Sequence, residues 1–190
     1  MNNGFSTGSA TELVELGSYV KTPGDYTGVV KAAQVKTFSS GSKAVEFIID
    51  TEQGQLRDLI WIGKKDGTPS QYGMSMIQSG FMRCAGFPEN ANVQFSQVTD
   101  KDGNAITVVP DFITKQVGVR ISIEETGTPQ KKYTNTRIEH FFNPTTQMTG
   151  SGKLITEYPA PTFTELAPVA APVGMTTAAS TGAAASPFGS

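Results

Sequence analysis

Three extended runs near the start of the chain, DYTGVVKAAQVKTF, KAVEFIID and LRDLIWIG, are separated only by short turn-forming stretches. This arrangement constrains the fold more than any other feature of the sequence. KAVEFIID sets Val45, Phe47 and Ile49 against Glu46, Ile48 and Asp50, and LRDLIWIG sets Leu56, Ile60 and Ile62 against Arg57, Leu59 and Trp61. Alternation at period two is the mark of a strand with two unlike faces. SSGS at 39–42 and Glu52-Gln53-Gly54 are too short for a crossover, so the three runs form an antiparallel meander. Gly28, inside the first run (Asp25 to Phe38), marks a bulge or a bend.

The pattern breaks at Lys64 to Pro69. Ser70 then stands as an N-cap before a helix over 71–85, with Met74, Ile77, Phe81 and Cys84 at helical spacing and Gly86 and Pro88 as the stop. Ile106 to Phe112 reads as a fourth strand, limited by Pro110. Val117 to Glu125 reads as a fifth, with Thr134 to Phe142 as its hairpin partner. The predicted class is mainly β. The order of three meandering strands, a helix, then further strands is that of an OB-type five-stranded antiparallel barrel, with the helix between strands three and four. Phe47, Phe81, Phe95 and Phe112 are assigned to the core. Of Phe141 and Phe142, alternation predicts one inward and one outward.

The organisation is a flexible polar arm over 1–20, one domain over 21–150 and a flexible tail over 151–190. The tail is rich in Ala, Pro, Thr, Ser and Gly, a composition that buries too little apolar surface to offset its ordering entropy. Hydrophobic residues make up 37% of the whole chain. The net charge is -2, and the 14 Lys+Arg between 21 and 150 face 13 Asp+Glu, so any anion-binding surface must come from sorting charges onto faces. The N-terminus reads as no signal peptide, and no apolar run is long enough for a spanning helix.

Catalysis has little to draw on. His140 is the single histidine and Cys84 the single cysteine, so neither a Cys/His metal site nor a disulfide is expected. Cys84 lies on the apolar stripe of the helix and reads as a core thiol. No GxSxG occurs, and SSGSK and GKKDG lack Walker spacing. Asp100, Asp102 and Asn104 resemble a calcium loop without its distal Glu. Glu124 and Glu125 read as a strand end entering a turn. No enzyme activity, cofactor or metal is expected.

Binding has more. Single-stranded nucleic acid is held by cations along the phosphates and rings against the bases. Lys31, Lys36 and Lys43 flank the first hairpin, with Phe38 between them. Arg57 and Trp61 share a strand face, continued by Lys64 and Lys65. Lys131, Lys132, Tyr133, Arg137 and Phe141 form a third group on the closing hairpin. Trp61 stays open between core filling and a stacking platform. Tyr133 follows two lysines in a polar stretch and reads as exposed.

From about Gly24 to Phe142 the chain resembles the OB-fold single-stranded DNA-binding proteins encoded by bacteriophages. The resemblance rests on DYTGVVKAAQV, GSKAVEFIID, the helix GTPSQYGMSMIQSGFMRCAGF and the hairpin QVGVRISIEETG…KKYTNTRIEHFF. It implies a non-enzymatic protein that coats single-stranded DNA without sequence preference during phage replication or recombination. It also implies a place in the cytoplasm of the infected host, replication or recombination proteins as partners, and no membrane. Members with an acidic C-terminal tail end near a Phe; here SPFGS supplies the Phe, but 151–190 holds only Glu157 and Glu165 against Lys153. A virion structural or assembly protein with a β-barrel core is the alternative that such a barrel and tail also fit.

Overall fold

The computed structural model describes residues 18–165 except 101, 129 and 130. The arm over 1–17 and the tail from 166 lie outside the described residues. The elements in order are β1 (Gly24–Thr37), β2 (Lys43–Thr51), β3 (Gly54–Gly63), α1 (Gln71–Ser75) running into a π-helical stretch (Met76–Met82), β4 (Ser96–Thr99), β5 (Ala105–Val108), β6 (Gln116–Thr128), β7 (Lys131–Phe142) and β8 (Phe163–Glu165).

The fold is mainly β, one sheet with a helix after the third strand. The meander is as the alternation predicts. β1 and β2 pair from Gly28↔Thr51 to Thr37↔Lys43, and β2 and β3 pair from Lys43↔Gly63 to Thr51↔Gly54. The register of β1 shifts between Val30 and Ala32. Its first half pairs with β6 along Gly24–Val29, and its second half pairs with β5 at Gln34 and Val35. Gly28 sits at the tightest point: a Cβ there would lie 2.5 Å from the Asp50 carbonyl oxygen, so only glycine fits.

Two parts of the expected barrel need correction. The described sheet has eight strands, not five. β4 and β5 form an added hairpin, β8 lies parallel to β6, and the stretch predicted as a strand through Phe112 ends at Val108 and turns into a 3-10 helix at Pro110–Phe112. Nor is the sheet closed by a ladder, since β7 pairs only with β6. At the open seam the Asp58 carboxylate on β3 accepts the Ile138 N–H of β7 at 2.7 Å, and also the Leu59 N–H at 2.7 Å. A side chain therefore satisfies a backbone donor that strand pairing leaves over.

The core gathers Phe47, Phe81, Phe112 and Phe141, with ring centroids 4.6 to 5.9 Å apart. The helix contributes Phe81 and Cys84. Ser70 caps it through the Gly73 N–H, as read from the sequence. Burial pushes the Cys84 thiol up to about 11, and its Sγ donates to the Phe141 carbonyl at 3.4 Å, as befits a core thiol. Phe142 is buried as well, against the alternation. It faces away from Phe141 but lies over Gly118, whose missing side chain makes room, and Thr149 bridges to it. Phe95, assigned to the core, is instead 61% exposed.

Residues 151–165, which composition places in the tail, pack on the body. Arg120 is buried, forms a double hydrogen bond to Asp25 at 2.6 Å, and donates to the Tyr158 and Pro159 carbonyls at 3.0 and 2.8 Å. Ser122 accepts the Thr162 N–H at 3.0 Å, and β8 then runs beside Ile123 to Glu125. Buried polar groups on β6 thus fix a strap whose own sequence gives no strand signal.

The seam yields a prediction. Asp58→Ala leaves the Ile138 N–H without its acceptor and should cost roughly 1–3 kcal/mol in thermal unfolding. Burial raises the Asp58 pKa. The folded state therefore holds this proton more tightly than the unfolded chain does. Stability from this group falls as pH climbs from the ordinary carboxylate range through the raised value. Asp58→Asn should lack that fall, so its melting temperature should gain on wild type as pH rises.

Candidate functional site

β1, β2 and β3 expose one face to solvent, because their other face carries Ala33, Val35, Val45, Phe47, Leu56 and Ile60 toward the core. The pairing sets the residues of this outer face in rows, of which Ala32, Ala44 and Glu46 are covered by their neighbours. Lys36, Ala44 and Trp61 lie side by side, then Gln34, Glu46 and Leu59, then Ala32, Ile48 and Arg57. Phe38 follows β1, and its ring lies 4.7 Å from that of Trp61, tilted by 38°. Trp61 is 47% exposed, so it belongs to the surface and not to the core.

The cations stand around this ring pair. Lys43 opens β2 opposite Gly63, where its stem lies close enough that a Cβ on the glycine would stand 3.3 Å from its own Cβ. Lys64 and Lys65 follow β3 in a turn closed by the Lys64 N–H to Thr68 carbonyl bond at 2.8 Å. That turn touches the β1–β2 turn, since a Cβ at Gly41 would lie 3.2 Å from the Lys65 carbonyl oxygen. The helix holds this end of the wall in place. Gly73 presses on the Trp61 backbone so closely that a Cβ would overlap its carbonyl oxygen.

Two of the cations are already engaged. Glu46 accepts Arg57 Nε at 2.7 Å and Nη2 at 2.5 Å on one oxygen, and Lys36 Nζ at 3.2 Å on the other. The Glu46 side chain is 5% exposed, whereas those of Lys36 and Arg57 are 42% and 52% exposed. The hydrogen bond to Glu46 raises the Arg57 pKa further, with a smaller part from Tyr19. Among the described residues, Lys43, Lys64 and Lys65 form no ion pair.

The closing hairpin holds a second group. Tyr133 is 50% exposed, and Lys131 Nζ lies 5.2 Å from its ring centroid. Lys132 bonds Glu125 at 2.8 Å and Glu165 at 3.0 Å, and these bonds push it up to about 12. Arg137 reaches Glu124 at 3.7 Å. Phe141 requires correction. It is 1% exposed within the core cluster, so no base can reach it.

Sequence reasoning missed two members of the wall. Glu46 was visible only as a polar residue on a strand's outer face, without a hint that it gathers Lys36 and Arg57. Tyr19 fell in the arm; it is exposed and bridges to Gln55 beside Arg57, which no periodicity foretells. The acidic loop is accounted for by its turn, since Asp100 accepts the N–H groups of Asp102 and Asn104 at 2.9 and 2.7 Å. Burial lowers the pKa of His140, whose ring packs 4.0 Å from that of Tyr158 under the strap. Among the described residues no helix is long and apolar enough to cross a membrane.

No protein-family model matches the chain, and no curated protein matches it either.

The exposure of the rings separates two kinds of damage. Trp61→Ala should leave the melting temperature nearly unchanged. Phe141→Ala should cost roughly 3–5 kcal/mol, because it empties the centre of the core. Thermal melts of both variants check this; an early-melting Trp61→Ala would return that ring to the core.

Proposed function

We propose that the protein binds single-stranded DNA without catalysis or sequence preference, through the outer face of β1–β3. The observation that carries this reading is the ring pair of exposed Trp61 and half-buried Phe38, with Lys36, Lys43, Arg57, Lys64 and Lys65 around it. A ring platform beside a line of cations suits a flexible strand, whose bases are free to stack while its phosphates follow the charges. A duplex hides its base faces and cannot use the rings.

The architecture supports the same reading. A three-stranded meander, a helix after β3, and a β6–β7 hairpin returning to both β1 and β3 follow the order of an OB fold. β4–β5 and β8 are additions to it, and the Asp58 bridge stands where the barrel would close. In OB folds, oligonucleotides lie on the strand 2–3 face and on the loops after strands one and four. Here those loops are Phe38–Ser42 and the tip between β6 and β7, with Lys131 and Tyr133. We assign this activity to phage DNA replication or recombination on the strength of the sequence resemblance alone.

The chain has one Trp, so Trp61 reports on its own site. Titration with oligo-dT should quench its fluorescence, whereas duplex DNA should not. With about four phosphates neutralised, the log-log salt slope should be roughly -3. Trp61→Ala should lose roughly 1–3 kcal/mol of affinity. An affinity independent of salt, or unchanged in Trp61→Ala, would remove the proposal.

A further inference from the structure

We propose that Glu46 limits how tightly this wall holds a phosphate polymer, by occupying the two cations on one side of the ring pair. The inference rests on the single-strand reading above and concerns the control of that same face.

The geometry is specific. Arg57 turns Nε and Nη2 toward one Glu46 oxygen, and this is the edge of the guanidinium that would otherwise grip a phosphate with two parallel bonds. Lys36 spends a donor on the second oxygen. Glu46 lies beneath both, nearly excluded from solvent, so an arriving phosphate does not displace it into water but must share its partners. Two positive charges act as one. Along the rest of the wall, Lys43 on β2, and Lys64 and Lys65 in the neighbouring turn, form no ion pair among the described residues; Asp66 in that turn accepts from Thr68 and feels Lys64 only at longer range. The face therefore carries two damped cations, Lys36 in the Trp61 row and Arg57 farther along β3, beside three at the turns that form no ion pair. A protein that must coat a strand and later leave it needs such a ceiling on affinity.

A carboxylate that merely orders Arg57 and Lys36 would have the opposite consequence, since its loss would scatter the cations and weaken binding. Glu46→Gln distinguishes the two. It keeps the shape and one acceptor for Arg57 but removes the charge. Titration of oligo-dT against wild type and Glu46→Gln, followed through Trp61 at several salt concentrations, should show about three- to tenfold tighter binding at low salt. The log-log slope should steepen by roughly 0.7, the share of one further phosphate. Equal or weaker binding by a variant of unchanged melting temperature would overturn the proposal.

If Glu46→Gln does not fold, the exposed lysines carry the test. Lys43→Gln should flatten the slope by roughly 0.7, and Lys36→Gln by clearly less, because Lys36 already serves Glu46. Equal losses would overturn it. If wild type binds no oligo-dT, the single-strand reading falls, and the same variants titrated with inorganic polyphosphate decide the matter separately. Tighter polyphosphate binding by Glu46→Gln, or a smaller loss from Lys36→Gln than from Lys43→Gln, keeps Glu46 as the limit on anion binding. The reverse removes it.

Discussion

The bulge in β1 between Val30 and Ala32 sets the geometry on which the rest depends. Tyr26, Gly28 and Val30 face inward before it, and Ala33 and Val35 face inward after it, opposite Phe47 and Val45. Without the extra residue, Lys36 would share the inward face with Tyr26 and Val30, and the whole second half of the strand would present the wrong side. The same irregularity lets one strand serve three partners. β6 takes the first half, β5 takes the second, and β2 runs along the other edge. Gly28 permits the close passage over Asp50 that this bend requires. The position of Lys36 and Phe38 beside Trp61 follows from a backbone defect, not from local preference.

Electrostatics then shapes what that face can do. The chain is slightly acidic overall, yet the wall carries Lys36, Lys43, Arg57, Lys64 and Lys65 against Glu46 and, in the turn, Asp66. Sorting of this kind attracts a polyanion locally while leaving the far surface neutral or negative. The closing hairpin differs. Lys132 and Arg137 are held by carboxylates of its own strands and of the strap, whereas Lys131 makes no ion pair among the described residues and lies against the Tyr133 ring. An apolar groove of about 620 Å³ between the helix and 87–95, lined by Met74, Ile77, Met82, Phe87 and Phe95, carries only Arg83 and Glu89 as charged groups, and these two pair with each other. Nothing in that groove favours phosphate.

Much of this was legible in the sequence, for physical reasons that also explain the failures. The meander and the helix were readable because alternation, helical spacing, the Ser70 cap and the Gly turns all agree locally. Trp61 and Arg57 were correctly placed on one face for the same reason. Phe141 misled because alternation fixes that a side chain points to one face, not which face is covered; both faces of β7 are covered at that end. Phe95 looked like core by composition alone, and no pattern surrounded it. The strap over 151–165 was invisible because it is held by Arg120 and Ser122 on a distant strand, through carbonyl and N–H groups that every sequence possesses. The Asp58 seam and the Glu46 cluster were hidden likewise. Each joins residues whose proximity exists only after the sheet has formed.

The central claim is that one face, the outer wall of β1–β3 with the neighbouring turns, receives the strand. Backbone amide chemical shifts of the isotope-labelled full chain, followed on addition of oligo-dT, test it residue by residue. The account predicts saturable shifts concentrated at 36–46, 57–65 and the hairpin tip near Tyr133, with 71–84 and the strap over 151–162 left in place. Shifts confined to the helix and the groove near Phe87 and Phe95, or no shifts at all with excess oligonucleotide, would contradict it.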